Sequence, residues 1–155
     1  MLELVRRDGS RHQVLFDEQD ADLVASRTWA IKPNGRTTYA VTAGGKALRM
    51  HALIMGSPGV DHVNHNGLDN RRFNLRIATA GLNGANRRPT LGASSAYKGV
   101  SRYARLSRWQ ARIRVDGHLR YLGLFDSEED AALAYNEAAI EAWGEFASVN
   151  EVRLK

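Results

Sequence analysis

The stretch Val60–Asn86 reads V-D-H-V-N-H-N-G-L-D-N-R-R-F-N-L-R-I-A-T-A-G-L-N-G-A-N. A carboxylate, Asp61, stands beside an imidazole, His62. Asn74 follows within a second apolar run (Phe73, Leu75, Ile77), and Asn83 lies on a polar segment beyond it. Gly67, Asp69 and Asn70 between the runs read as turn residues. An acid, a base and amides flanked by arginines suit metal-assisted phosphate chemistry. Hydrolysis of a phosphodiester needs an activated water and positive charge at the phosphate and the leaving oxygen. A histidine, with its ordinary pKa of about 6.5, takes the water's proton near neutral pH. A divalent ion polarises the phosphate, and a carboxylate with an amide carbonyl suits magnesium or manganese better than zinc.

The chain around this stretch has 155 residues, enough for one ordinary domain or two small ones. At 43% hydrophobic and 25% charged its composition is globular. No run approaches the roughly 18 apolar residues that span a bilayer, and the residues after Met1 lack a signal-peptide core. There is no cysteine, which excludes disulfides, thiol catalysis and cysteine-ligated zinc. These features lead us to expect an intracellular protein with no membrane partner. The formal net charge of +5 favours a polyanionic partner. Its distribution says more. Between Tyr97 and Tyr121 lie Lys98, Arg102, Arg105, Arg108, Arg112, Arg114 and Arg120 against Asp116 alone, whereas the charges from Asp126 to Glu151 are all acidic. A basic binding face backed by an acidic helix follows.

Residues 1–56 read as short strands with turns, a supporting sheet without chemistry of its own. Leu2, Leu4 and Val14, Phe16 flank the hairpin dipeptide Asp8-Gly9. Asp17 is placed to cap a short helix carrying Leu23 and Val24. Thr28–Ile31 and Thr38–Thr42 flank the turn signal Pro33-Asn34-Gly35, and Gly44-Gly45 introduces a third run over Ala47–Met55. Trp29, Tyr39, Val41 and Leu53 are candidate core, and His51 a structural histidine. After Thr79 a helix is expected, although Gly81 and Gly84 each cost it up to about 1 kcal/mol relative to alanine. Pro89 ends it, and Gly92, Ser94 and Ser95 mark a flexible linker over residues 90–95.

The last segment carries three candidate strands, Lys98–Tyr103, Arg108–Val115 and Leu119–Phe125, with the turn Asp116-Gly117 between the last two. In the middle strand Trp109, Ala111, Ile113 and Val115 alternate with Gln110, Arg112 and Arg114, giving one buried and one basic face. Ser127 caps a helix whose first turn is acidic, with alanines and Tyr135 on its inner face and Gly144 at its end.

Over Ala96–Asn150 the words Y-K-G-V-S, W-Q-A-R-I-R-V, Y-L-G-L-F-D-S-E-E-D-A-A-L-A-Y-N-E-A-A and G-E-F-A-S-V-N resemble the Apetala-two/ethylene-response-factor (AP-two) DNA-binding domain. That resemblance implies a three-stranded antiparallel sheet packed on one helix. Its sheet would set residues against DNA: Arg112 and Arg114 first, with Ser101, Tyr103 and Tyr121 on the same face. Ser101 and Tyr103 stand where plant members usually carry arginine, and Arg105 or Arg108 would substitute.

M-H-A-L-I-M-G, then V-D-H-V-N-H-N-G-L-D-N-R-R-F-N-L-R-I-A-T, then N-G-A-N-R resemble the HNH endonucleases, closest to the homing type of phages and mobile introns. The resemblance implies a strand–strand–helix metal core over residues 51–88. In it His62 is the general base, Asp61 and Asn83 ligate one Mg2+ or Mn2+ ion, and Asn74 braces the loop and orients His62. Asn83 stands where many members have histidine. Arg71 and Arg72 are candidate phosphate contacts, and His65 a loop or DNA contact. Neighbours on an ideal strand point to opposite faces, so Asp61 and His62 share a site only at a distortion or at the strand's end.

The fold expected is α+β in two small domains: residues 1–89, a mixed sheet leading into the HNH core, and residues 96–155, the AP-two-like unit. The function expected is a metal-dependent DNA endonuclease acting on double-stranded DNA, in bacterial or phage-infected host cytoplasm. No obligate protein partner is evident, and the sequence leaves monomer or dimer open. The alternative is a non-catalytic, sequence-specific DNA-binding regulator built on a nuclease-like scaffold.

Overall fold

Asp8-Gly9 turns the chain as its sequence predicts. Gly9 adopts φ 82°, and β1 (Leu2–Val5) pairs antiparallel with β2 (Arg11–Val14), Leu2 opposite Val14. The computed structural model describes residues 1–79, 82, 86 and 93–152. They divide into two units, Met1–Thr79 and Ala80–Lys155.

The first unit departs from the single mixed sheet expected. Its strands form separate two-stranded antiparallel ladders: β1–β2, β3 (Trp29–Asn34) with β4 (Thr37–Thr42), and β5 (Val60–His62) with β6 (Leu75–Ile77). Pro33 and Asn34 belong to β3, and Gly35, at φ 59°, makes the turn. Asp17 precedes a short helical turn leading into α1 (Ala21–Ala25), but its side chain caps nothing there. Instead its Oδ2 accepts a hydrogen bond from the Arg72 backbone N–H at 2.7 Å. The run Ala47–Met55 is not a strand; it becomes α2 (Met50–Met55), closed by Gly56 at φ 62°. A short apolar run does not distinguish strand from helix by itself; here Met50, His51 and Ile54 face inward at helical spacing. The ladders pack around Val14, Val24, Trp29, Ala40, Met50, Ile54, Val60 and Leu75. A bridge from Leu15 to Asp69 ties the N-terminal hairpin to the loop between β5 and β6.

The second unit matches its sequence closely. β7 (Val100–Tyr103), β8 (Arg108–Val115) and β9 (His118–Phe125) form one antiparallel sheet in that order. A bulge at Ala111/Arg112 sets Arg112 opposite Tyr121. α3 (Glu128–Trp143) packs Ala131, Ala132, Tyr135, Ala138 and Ala139 against the sheet, and Ser127 caps it by accepting from Asp130 N at 3.0 Å. Small alanines bring the helix close. At Gly99 (φ 76°) an added Cβ would lie 2.0 Å from the Tyr135 ring, so only glycine fits. Asn150 donates to Lys98 O and accepts from Lys98 N, while exchanging bonds with Asn136, which fastens the chain after α3 to both sheet and helix. Ser94 and Ser95, expected in a flexible linker, belong to this unit. Ser94 Oγ accepts from Arg102 N, and buried Ser95 donates to Glu128. Residues 90–92 of the linker, Asn83 and most of the helix expected after Thr79 lie outside the described residues.

Candidate active site and nucleic-acid face

His62 ends β5 with its side chain turned into the first unit; it is 5% exposed. Its ring meets His51 edge-on at 4.7 Å between centroids, and both rings pack against Tyr39 at 5.9 and 5.6 Å. Its Nε2 lies 3.3 Å from Asn70 Oδ1. Burial lowers the His62 pKa, outweighing the Asn70 hydrogen bond and the charges of Asp61 and Asp69, which raise it. The imidazole is therefore held in the neutral form that a general base requires. His51 is the structural histidine expected. Burial, followed by the His62 and Arg49 charges, pushes its pKa down to about 3.

Asn74, 2% exposed, is bound through both halves of its amide to the loop backbone: Nδ2 donates to Asp69 O at 2.7 Å, and Oδ1 accepts from Asn64 N at 3.0 Å. Asn64 in turn donates to Asp69 Oδ2, and the Val63 N–H to Asn74 O. These bonds tie the loop between β5 and β6 to the start of β6. Asn70, which read as a turn residue, lies within hydrogen-bond reach of His62; nothing local in N-R-R distinguishes a buried asparagine from an exposed one. His65 occupies the left-handed region at φ 59° and donates its N–H to His62 O.

Asp61 leaves β5 on the face opposite His62, as strand alternation requires. There it meets Arg76, its register partner on β6, whose Nε and Nη2 lie 3.1 and 2.9 Å from Oδ2. Among the described residues no group of three or more His, Cys, Asp or Glu side chains is arranged to hold a metal ion. The three or four nitrogen, sulfur or carboxylate ligands that zinc usually takes are not grouped among the described residues. A magnesium-type ion keeps several waters and needs only one or two protein carboxylates. The Asp61 carboxylate suits it, on terms that include the Arg76 charge.

Arg71 and Arg72 are engaged in ion pairs. Arg71 makes a bidentate pair with Asp69 at 2.7 and 2.8 Å, and that hydrogen bond is the main cause that lowers the Asp69 pKa. Arg72 makes another with buried Asp20 at 3.0 and 2.6 Å. Both guanidiniums thus fasten the segment between β5 and β6 to its surroundings; the sequence leaves phosphate contact and such a structural role equally open for each. Of the second apolar run only Leu75 is core. Phe73 is 73% exposed with Arg71 stacked on its ring at 4.6 Å, and Ile77 is exposed.

In the second unit the sheet face away from α3 carries Ser101, Tyr103, Arg112, Arg114 and Tyr121 together. Arg112 and Arg114 are exposed, as is Tyr121. Arg105 lies on the turn after β7. Gln110 was not singled out from the sequence, yet it organises this face: Arg112 Nη2 donates to its Oε1 at 2.6 Å, and its Nε2 donates to Ser101 Oγ at 3.0 Å. Arg114 Nη1 donates to Gly117 O in the hairpin. Oriented guanidiniums on an open sheet match the forked geometry that guanine edges and phosphates accept.

The chain is 37% identical over 93 residues to an uncharacterized HNH endonuclease of Acanthamoeba polyphaga mimivirus, covering 60% of this chain and 47% of that protein. It is 44% identical over 64 residues to APETALA2-like protein 2 of Oryza sativa, covering 41% of this chain and 15% of that one. It is also 51% identical over 59 residues to an AP2-like ethylene-responsive transcription factor of Arabidopsis thaliana, covering 37% and 10%. No protein-family model and no solved structure matches. The chain is a homologue of both groups, consistent with a fusion of HNH and AP2 parts. It spans less than half the length of these relatives. No helix among the described residues is long and apolar enough to cross a membrane.

Proposed function

We propose that the chain is a metal-dependent DNA endonuclease of the homing type, in which the first unit hydrolyses a phosphodiester and the second selects the site. The observation that carries this reading is His62: a buried, neutral imidazole at the end of a short strand, next in sequence to Asp61 on the opposite face and followed by a loop that Asn74 braces. His62 accepts the proton of the attacking water. Asn74 holds the loop that sets the ring's position. Because β5 ends at His62, a phosphate at the strand's end would reach the imidazole on one face and the carboxylate on the other. A bound Mg2+ or Mn2+ ion, held by Asp61 and Asn83, would supply polarisation of the phosphate and charge for the leaving oxygen. The exposed row of Arg112, Arg114 and Tyr121 supports duplex DNA as the partner of the second unit.

The test is cleavage of supercoiled plasmid with Mg2+, with and without EDTA. Wild type should cut in a chelator-sensitive way, and His62→Ala should lose about 10²-fold or more, the usual worth of a general base. Equal cutting by the two proteins would remove His62 from the mechanism. DNA binding without cleavage of any substrate would favour a non-catalytic DNA-binding regulator.

A further inference from the structure

Asn70 is completely buried and is fixed from both directions along the chain. Its N–H donates to Leu15 O at 2.7 Å, while the Leu15 N–H donates to Leu68 O at 2.8 Å. Two backbone bonds thus clamp residues 68–70 to the chain leaving β2. Next to it, Asp69 is held by Arg71 and Asn64. Against this fixed backbone the Asn70 side chain makes one hydrogen bond among the described residues, to His62 Nε2, and its Nδ2 is buried without a partner. A buried amide with an unmet donor is a cost that an apolar side chain of the same volume would not carry. The backbone bond to Leu15 would survive such a replacement, so packing and chain path do not account for the amide.

We infer that Asn70 is the positioning residue of His62: its Oδ1 accepts the Nε2–H of the ring and so holds the imidazole in the tautomer protonated at Nε2. The inference rests on His62 being the base. Tyr39 and His51 set the plane of the ring by packing, but packing does not choose which nitrogen carries the proton. A hydrogen-bond acceptor facing one nitrogen does. Asn74 is already bound at both ends of its amide to the loop backbone. The two asparagines divide the work: Asn74 braces the loop and Asn70 selects the tautomer. The N-terminal hairpin thereby acquires a part in the site, since Leu15 holds Asn70 in place.

The experiment uses the full chain labelled with 15N at histidine, with the His62 ring resonances identified by their absence in His62→Gln. Nitrogen shifts report the tautomer directly, and single-turnover cleavage of supercoiled plasmid with Mg2+ reports its consequence. Wild type should show His62 protonated at Nε2. Asn70→Asp, which still presents an acceptor, should keep that tautomer, whereas Asn70→Leu should populate both. Cleavage at saturating enzyme should fall at least about tenfold in Asn70→Leu and recover to within a few fold in Asn70→Asp, because a base in the wrong tautomer loses much of its contribution. A purely structural role would instead show as a changed fold in the amide spectrum. A single Nε2–H tautomer in Asn70→Leu overturns the proposal, and so does undiminished cleavage by Asn70→Leu while His62→Ala is inactive. If His62→Ala itself cuts like wild type, the base assignment fails, and the nitrogen shifts still decide the Asn70 contact independently.

Discussion

Arg76 holds Asp61 across the β5–β6 pair, with both Nε and Nη2 directed at the same carboxylate oxygen. The two side chains are only 12% and 14% exposed, so the pair is screened less than a surface one. A divalent ion held at Asp61, as proposed, would therefore meet a carboxylate whose charge is already partly balanced. Arg76→Gln should lower the Mg2+ concentration for half-maximal plasmid cleavage by about fivefold, equivalent to about 1 kcal/mol of relieved repulsion. A magnesium titration of the two proteins decides it. A higher requirement in the variant would mean that Arg76 serves to aim Asp61.

Arg72 should matter for stability before it matters for DNA. Its guanidinium neutralises Asp20, which is 3% exposed, and removing it leaves a buried carboxylate without that cation. Since Arg72 is itself 43% exposed, the loss should fall below that of a fully buried pair, at about 2 kcal/mol. Urea unfolding of Arg72→Ala measures it. The double variant Arg72→Ala, Asp20→Ala should recover part of the loss, because no buried charge remains. DNA affinity measured under conditions where the variant is folded should change less than about twofold, unlike that of an arginine holding a phosphate.

The pair of buried histidines predicts a stability that declines with acid. In the folded chain the His51 pKa is about 3, from burial first, against an unfolded value of about 6.5. Above pH 6.5 both states are neutral and the stability is fully present. As the pH falls below 6.5 the unfolded chain takes up a proton that the folded chain refuses, so stability is lost progressively towards pH 3. His62 acts in the same direction, its pKa being lowered by burial. Urea unfolding at pH 7 and pH 5.5 should show His51 contributing about 1 kcal/mol of the difference. His51→Phe, which keeps a ring against Tyr39, should flatten the dependence by that amount. An unchanged slope would mean that His51 is charged in the fold.

Where sequence and structure agree, the information is local. β8 and its neighbours are defined by a period-2 alternation and an Asp-Gly turn, and α3 by a serine cap and an alanine stripe. Each signal is complete within a few residues. The first unit has few such signals. β5 and β6 are three residues each, too short for periodicity, and they are fastened by contacts far apart in sequence: Arg72 to Asp20, Asp17 to the Arg72 backbone, Leu15 to Leu68 and Asn70. The residue types and spacing around Asp61, His62 and Asn74 are visible in the sequence and single out this stretch. The partners are not. Asn70 looked like a turn residue because burial at 0% exposure is set by Leu15, and the sequence left phosphate contact and a structural role equally open for Arg71 and Arg72 because it does not show their pairing with Asp69 and Asp20.

The hydrogen-bonded row across β7 and β8 makes the last prediction. Ser101, Gln110 and Arg112 are linked side chain to side chain, and Arg112 faces Tyr121 on β9. A guanidinium already oriented by Gln110 loses less freedom on binding, so it suits base readout more than loose charge neutralisation. Arg112→Ala should cost about 1–3 kcal/mol on the preferred duplex and relax the choice at one base pair. Gln110→Ala keeps the Arg112 charge but releases its orientation. It should therefore erode discrimination while leaving the salt dependence of binding unchanged. Arg105, exposed on the turn after β7, should behave in the opposite way: Arg105→Ala should weaken all sequences alike and reduce the salt slope by about one. Selection from a randomised duplex pool, followed by affinity measurements at two salt concentrations, separates the two behaviours. If Gln110→Ala instead lowers the salt slope and leaves the selected sequence intact, the row contacts phosphate and base selection lies elsewhere on the sheet.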